Sequence, residues 1–230
     1  MLGNNCDILS VQEALGNQLS DMSSDLSGYS MVGTGRDGNS STSEYCAIFY
    51  RNAQFTLLSS GTFWLSPGAP STSTGPSWDA AHKRICTWVQ LQDKGTSKKL
   101  WVFNTHFDQE GSVARQNSAD LILEQMQLKM GDDPGILTGD LNCNQTSAPY
   151  ATLNNSSLLE ESWNIAAAKS PELRVTGNSW LINPTGDNQI DHIFVTGHWS
   201  VDSRLIDWTY KEPDIVPSDH WPVIVNISLK

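Results

Sequence analysis

The segment Gly135-Ile136-Leu137-Thr138-Gly139-Asp140-Leu141-Asn142 constrains this chain more than any other. Its apolar start predicts a short buried strand, and Gly139 predicts a turn at the end of that strand. The turn carries Asp140 and Asn142, which are separated by a single residue. Carboxylate and amide oxygens are ligands of hard cations such as Mg²⁺, and they also suit contact with a phosphate. A polar turn that caps a helix has the same residues, so the segment alone leaves both interpretations open.

The amino-acid composition restricts which folds and which binding partners are compatible with the chain. A length of 230 residues with 38% hydrophobic residues is enough for one large α/β domain with a deep core. No stretch approaches the roughly 18 consecutive apolar residues of a membrane span. The net charge of -11 argues against a broad basic surface for long duplex nucleic acid, although a bound metal can supply positive charge locally. We expect no signal peptide, and five N-x-[ST] sequons favour secretion only weakly, so the compartment stays open.

Two charged residues stand at the ends of predicted strands, and each allows two interpretations. Glu13 lies where a short strand passes into a helix, which is where α/β sheets place their chemistry. A carboxylate there also stabilises the first turn of a helix. Arg84 begins the strand that continues through Leu91, where it is either a solvated edge charge or a bidentate donor to a phosphate.

Further polar residues occupy the ends of other predicted strands. His106 ends an apolar run, and Asp191 begins the strand that runs through Val195. A single polar residue at a strand end means little. Several such residues are informative when they are all of the types that metal-dependent phosphate chemistry uses. The complete set is Glu13, His106, Asp140 with Asn142, Asp191, and Asp219 with His220.

As an ordered set, these motifs resemble the endonuclease/exonuclease/phosphatase family, which is deoxyribonuclease I-like and includes nucleases, deadenylases, sphingomyelinases and inositol phosphatases. The resemblance implies an α/β fold in which two mixed β-sheets pack face to face with helices outside, giving a four-layer sandwich. It also implies hydrolysis of a phosphodiester with Mg²⁺ or Mn²⁺ as cofactor. The matching segments are Gln12-Glu13, Asn104–His106, Thr138–Asn142, Ile190–Ile193 and Ser218–His220.

The resemblance assigns oxygen ligands and a water-activating group. Glu13 is expected to hold the divalent metal, with Asp219 supporting the metal or the water around it. Asp140 is expected to align or deprotonate the attacking water, and Asn142 to orient the phosphate. These ligands are all oxygen, as a hard cation requires.

The resemblance also assigns the histidines and their partners. His220 is expected to face the scissile phosphate, with Asp191 fixing and charging its imidazole. His106 is expected to donate to a phosphate oxygen, with Glu44 as its carboxylate partner. Such pairs raise the imidazole pKa and favour the cation. The alternative for both histidines is a core residue hydrogen-bonded to backbone, and Arg84 is the candidate additional phosphate ligand.

The predicted organisation is a single domain over residues 1–230 that is N-terminally truncated relative to the family. Only twelve residues precede Glu13, whereas family members carry an earlier strand with an Asn. The leading hypothesis is a nuclease on single-stranded or short nucleic acid, with no obligate protein partner. The alternatives are a lipid or sugar phosphodiesterase or phosphatase of the same family, and a non-catalytic relative inactivated by loss of that strand.

Overall fold

A computed structural model describes residues 4–38, 42–68, 75–170, 175–209 and 216–230. The strands are β1 (Ile8–Ala14), β2 (Tyr29–Val32), β3 (Tyr45–Arg51), β4 (Phe55–Trp64), β5 (Ile85–Asp93), β6 (Lys99–His106), β7 (Gly135–Asp140), β8 (Glu160–Glu161), β9 (Ala168–Lys169), β10 (Asp191–Val195), β11 (Trp199–Ile206) and β12 (Val223–Leu229). The helices are α1 (Gly16–Asp25), α2 (Ser112–Met130), α3 (Ala148–Asn154) and α4 (Ser162–Ile165).

The strands form one large sheet and two small ones. The large sheet has the order β4-β5-β6-β7-β10-β8, in which β6 and β7 are parallel and the other pairs are antiparallel. The small sheets have the orders β1-β3-β2 and β12-β11-β9. This mixture of parallel and antiparallel pairs places the C-terminal ends of β6 and β7 beside the start of β10, at one end of the large sheet.

Alternating side chains divide the molecule into layers, because successive residues of a strand point to opposite faces. On β3, Ile48 and Tyr50 pack against Val89 and Val102 of the large sheet. The intervening Ala47 belongs to a second cluster, which includes Leu19 of α1. On the far side of the large sheet, Phe103, Ile122 of α2 and Leu153 of α3 share a third cluster. The order helix, sheet, sheet, helix confirms the predicted four-layer α/β sandwich.

Buried polar side chains join the large sheet to the β1-β3-β2 sheet close to the C-terminal ends of β6 and β7. Asn104 is fully buried and donates from Nδ2 to the carbonyl oxygens of Val11 and Ala47, each at 2.9 Å. It accepts from Gln12 Nε2 at 2.6 Å. The nitrogen and the oxygen of the Asn104 amide are thus both hydrogen-bonded, as burial demands. These contacts fix the position of β1 above β6.

The structure departs from the sequence pattern at two strands. Phe55–Trp64 form the single strand β4, although Ser59, Ser60 and Gly61 interrupt its apolar pattern. Gly139 does not make the turn, because it lies within β7. A Cβ there would collide with the Thr105 carbonyl oxygen of β6, so the residue is required by close strand packing.

None of the helices in the described part of the chain combines the length and the hydrophobicity needed to cross a membrane.

Candidate active site

The strand register places three of the predicted site residues side by side. His106 is the last residue of β6 and is paired with Asp140 at the end of β7. On the other side of β7, Asp140 is paired with Asp191, the first residue of β10. Adjacent strands lie about 4.8 Å apart, so the three side chains converge without any help from loops. His220 reaches the same place from a segment that forms a bridge with Gly177.

Asp140 is the centre of this group. Its Oδ2 lies 3.5 Å from Nε2 of His106 and 3.9 Å from Nε2 of His220, while its Oδ1 accepts from the backbone N–H of Asn142 at 2.8 Å. Burial, followed by the charge of Asp191, raises the pKa of Asp140 to about 7. A carboxylate with a pKa near neutrality is a suitable acceptor for the proton of an attacking water.

His220 and Asp191 form a close ion pair beside Asp140. Nδ1 of His220 lies 2.8 Å from Oδ2 of Asp191. Burial opposes the charge on the imidazole, but the hydrogen bond and charge of Asp191, with the charges of Asp140 and Asp219, raise the pKa of His220 to about 9. His220 is therefore a cation at neutral pH, with its Nε2–H turned towards Asp140.

His106 is neutral, and the expectation of a charged imidazole is wrong for this residue. Its Nδ1 lies 2.9 Å from Nη1 of Arg84, and a guanidinium can only donate. Nε2 lies 3.0 Å from Nδ2 of Asn142, which also can only donate, so both ring nitrogens face donors and a cationic imidazole is disfavoured. Burial, reinforced by the charges of Arg84 and Arg36, lowers the pKa of His106 well below its ordinary value of 6.5.

Arg84 acts inside the protein rather than as the predicted phosphate ligand. Only 6% of the residue is exposed, and each guanidinium nitrogen has a partner. Nε contacts Asp108 at 3.4 Å, Nη1 contacts His106, and Nη2 donates to Gln109. Asp108 in turn accepts from four backbone N–H groups, among them those of Ala81 and His82. Arg84 is thus held rigidly against Nδ1 of His106, where its charge opposes protonation of the imidazole.

Replacement of Arg84 by Met tests this arrangement. In the wild-type chain we expect ¹⁵N chemical shifts of His106 that correspond to a neutral imidazole from pH 5 to 8. In Arg84→Met we expect the pKa of His106 to rise towards its ordinary value of about 6.5, because a positive charge and an obligatory donor have been removed. Identical titration of His106 in both proteins would contradict the role of Arg84.

Glu13 projects from a β-bulge. Val11 pairs with Ala47 and Ala14 pairs with Tyr45, so β1 contains one more residue than β3 over this interval. Glu13 occupies the bulge with φ +59°, and its Oε1 lies 3.8 Å from Nδ1 of His106. Bulges often redirect a side chain next to an active site, and this one turns a mostly exposed carboxylate towards the end of β6.

The carboxylates around Glu13 create unbalanced negative charge. Burial and the charges of Glu44 and Asp219 raise the pKa of Glu13. Glu44 lies within the same cluster, but its closest partner is Arg36, with an Nη1–Oε2 distance of 2.7 Å. Glu44 was expected to pair with His106 and to charge it. Instead it neutralises Arg36, because the Nδ1 face of His106 is occupied by Arg84.

Asn142 completes the group from a strained backbone position. Its φ is +47°, a value that asparagine tolerates better than most residues. Nδ2 donates to the Phe107 carbonyl at 2.9 Å and lies 3.0 Å from Nε2 of His106. Strain of this kind is found where the surroundings hold a functional residue in place. The amide therefore faces the same point as Asp140.

Two groups of three side chains are close enough to hold a cation. In each group one potential ligand atom per residue lies within 4.8 Å of the others. The first group is Glu13, Glu44 and His106, and the second is Asp140, Asp191 and His220. Carboxylates and imidazoles are common ligands of divalent metals, and the charge around Glu13 fits a positive ion.

The family assignment rests on a match that spans almost the whole chain. The model of the Endonuclease/Exonuclease/phosphatase family matches residues 1–220. The chain belongs to this family. The predicted family and fold are therefore confirmed, and members of the family hydrolyse phosphoester bonds and generally use divalent metals.

Individual relatives show how far the similarity extends. The chain is similar to the mannosyl-6-phosphatase Bt3783 of Bacteroides thetaiotaomicron, with 34% identity, a TM-score of 0.93, and coverage of 99% of this chain and 87% of that one. TDP2 of D. rerio, solved with a single-strand DNA product, shares the fold at 17% identity and a TM-score of 0.76, with coverage of 99% of this chain and 88% of that one. Uncharacterized protein L388 of Acanthamoeba polyphaga mimivirus is 26% identical over 170 residues. The match covers 70% of this chain and 62% of that protein, so the chain spans less than two thirds of the length of that relative.

Proposed function

We propose that the chain is a hydrolase that uses a divalent metal to cleave a phosphoester with water activated by Asp140. The observation that carries this proposal is the convergence of a buried carboxylate with two imidazoles in different protonation states. Asp140 has a pKa of about 7, His220 is protonated, and His106 is neutral. Asp140 can accept a proton while the protonated His220 donates a hydrogen bond.

Each residue has a distinct part in this reaction. The water oxygen forms a bond to phosphorus as Asp140 takes its proton. The bond from phosphorus to the ester oxygen breaks, and that oxygen leaves with the electron pair and takes a proton from solvent. The protonated His220 stabilises the negative charge that builds up on the phosphate, and we assign His106 a hydrogen bond to a phosphate oxygen. Asn142 orients the phosphate with its amide. Donors that are already in place need no reorganisation when charge develops.

We assign the metal to Glu13 and Asp219, with Mg²⁺ or Mn²⁺ as the cation. Burial, followed by repulsion from Glu44 and Asp219, raises the pKa of Glu13, and a bound cation would relieve that repulsion. A bound divalent cation supplies Lewis-acid neutralisation of the phosphate charge. Oxygen ligands favour these two ions over softer metals.

The favoured substrate is a sugar phosphate rather than the nucleic acid of the leading sequence hypothesis. The cations around Glu13 and His106 have partners within the protein: Arg36 pairs with Glu44, Lys83 lies 3.5 Å from Asp37, and Arg84 is buried. A polynucleotide needs free cations for its backbone phosphates. The 34% identity to a mannosyl-6-phosphatase also supports a sugar phosphate. A short single-stranded nucleic acid is the second candidate, supported by the fold shared with a TDP2 that holds a DNA product.

Removal and return of the metal tests the proposed function. We expect EDTA to lower the rate of phosphate release from mannose 6-phosphate by about 10³-fold or more, because Lewis-acid stabilisation amounts to several kcal/mol. Mg²⁺ or Mn²⁺ should restore the rate, and circular dichroism should show the same fold throughout. A labelled single-stranded oligonucleotide, assayed in parallel, measures the second candidate.

The variant Glu13→Gln separates metal binding from general damage. It should need a higher Mg²⁺ concentration for half-maximal rate, while the control Glu160→Gln, at an exposed position on β8, should not. Full activity of the wild-type chain in EDTA would contradict the proposal. Equal Mg²⁺ requirements of the two variants would remove Glu13 from the metal site.

A further inference from the structure

A cavity among the described residues opens next to Asn142. Its volume is about 610 Å³, and it lies between the first turns of α2 and the segment from Asn142 to Pro149, with Asn188 and Ile190 on a further side. This volume is typical of a small-molecule pocket. Because Asn142 belongs to both the cavity and the phosphate site, a phosphoester at Asp140 has this space beside it for the rest of the substrate.

The lining is unusual for so acidic a chain. The sequence contains 25 Asp and Glu residues, yet the described residues around the cavity include no carboxylate and no aromatic ring. Instead they include one guanidinium and several side-chain amides. The absence of carboxylates removes a repulsion that a phosphoester would meet elsewhere. The absence of aromatic rings leaves no platform on which a nucleobase could stack. The polar lining residues other than Asn142 are Arg115, Gln116, Asn117, Asn144 and Asn188, with Ser112 and Ser147.

Arg115 supplies the cavity with a cation that has no carboxylate partner in the described part of the chain. Its Nη1 donates to the Asp108 carbonyl at 2.7 Å, which fixes the side chain near the base of α2. No ion pair joins it to an Asp or Glu there, in contrast to Arg36, Arg51, Arg84 and Arg204. The remaining N–H groups of Arg115 are therefore available to a ligand.

Two amides in the lining also retain hydrogen-bonding capacity. The side-chain amide of Asn117 makes no hydrogen bond to any described residue and lies on the α2 side of the cavity. Asn188 donates from Nδ2 to the Gly177 carbonyl at 3.3 Å and leaves its Oδ1 without a described donor. A side-chain amide both donates and accepts, so it can satisfy a hydroxyl group in either role.

From these features we infer that the cavity binds a hydroxyl-rich leaving group, so that Arg115, Asn117 and Asn188 determine specificity for a sugar phosphate. This inference rests on the proposed phosphoester hydrolysis at Asp140. Amides and a guanidinium hydrogen-bond to the hydroxyls of a sugar ring. The described lining has no aromatic ring on which a base would stack. The cation of Arg115 also favours a ligand that carries a phosphate.

The test compares a sugar ester with an ester that has few hydrogen-bonding groups. We expect Arg115→Met and Asn117→Leu each to lower kcat/KM for mannose 6-phosphate about 10–100-fold more than kcat/KM for p-nitrophenyl phosphate, because a site that loses partners for substrate hydroxyls loses discrimination. Asn155→Leu, at an exposed position just after α3, is the matched control and should leave both values unchanged. Thermal melts establish that each variant folds.

A binding measurement separates this inference from the proposed function. Mannose 6-phosphate is titrated calorimetrically, with Mg²⁺, into Asp140→Asn and into the same chain carrying Asn117→Leu or Arg115→Met. We expect each added substitution to raise Kd about 10-fold or more. If the wild-type chain releases no phosphate but these Kd values separate as expected, the proposed function fails and the cavity assignment stands. If both esters lose rate equally and Kd is unchanged, the cavity assignment is overturned while phosphoester hydrolysis stands.

Discussion

Replacement of Asp140 by Asn is expected to lower kcat by about 10³–10⁴-fold, the range that loss of a general base produces. The amide keeps the shape of the carboxylate and its contact with the Asn142 backbone N–H, but it cannot accept a proton from water. The measurement is phosphate release at saturating substrate and Mg²⁺. A rate within threefold of the wild-type value would show that another group activates the water.

The same variant is expected to be more stable than the wild-type chain. The pKa of Asp140 rises from 3.8 to about 7 on folding, so the ionised carboxylate destabilises the folded state. This cost is complete above pH 7 and fades as the pH falls from 7 towards 4, because the folded-state carboxyl is then protonated. In metal-free buffer at pH 8 we expect Asp140→Asn to raise the free energy of unfolding by about 1–4 kcal/mol. Denaturant titrations at pH 8 and pH 4 measure the difference, which should be absent at pH 4.

Replacement of Asp191 by Asn is expected to lower turnover by roughly two to four orders of magnitude. The carboxylate lies 2.8 Å from Nδ1 of His220 and keeps that imidazole charged. Without it, the pKa of His220 should fall from about 9 towards its unperturbed value of about 6.5. The fold should survive, because the amide is the same size and Asp191 still begins β10.

The pH profile distinguishes this electrostatic role from simple damage to the site. Activity that needs protonated His220 is present below its pKa and is lost as the pH rises through it. The alkaline limb of kcat/KM should therefore lie near pH 9 in the wild-type chain and move towards pH 6.5 in Asp191→Asn. Asp202→Asn, at an exposed position on β11, is the control and should leave the limb unmoved. An unshifted limb in Asp191→Asn would remove the pair from the mechanism.

The positions of the central residues could be predicted because they depend on strand ends. An apolar run followed by His106 or Asp140 identifies a strand and its terminus, and adjacent strands bring such termini together. Asp191 was predictable for the same reason, since it begins an apolar strand. The order of the motifs then indicated the family and the four-layer fold.

Other features depend on burial and packing, which the sequence pattern does not report. The sequence around Arg84 is compatible with a guanidinium that contacts a phosphate and with one that contacts Asp108. Only the tertiary structure distinguishes these two partners. The bulge at Glu13 gives no periodic signal, because one extra residue changes the register locally. β11 was missed although Trp199 and Val201 alternate with polar residues, since the charged residues Asp202 and Arg204 interrupt the run. Arg204 is in fact buried beside Glu161, an ionic contact that alternation cannot predict.

The cavity beside Asn142 was also beyond prediction. Its walls come from α2, the segment after β7 and the segment before β10, which are distant in sequence and meet only after folding. Asn117 has no feature that separates it from any other polar residue of an amphipathic helix. Its significance arises from its place next to the phosphate site.

Isotope transfer from water tests the central claim most directly. The Mg²⁺-loaded wild-type chain hydrolyses mannose 6-phosphate in ¹⁸O-enriched water, and mass spectrometry locates the label. The account predicts that each phosphate released carries one solvent oxygen and that the sugar carries none, because water attacks phosphorus at Asp140. Asp140→Asn should yield labelled phosphate only at the greatly reduced rate. Label in the sugar instead of the phosphate, or no phosphate release by the wild-type chain, would contradict the account.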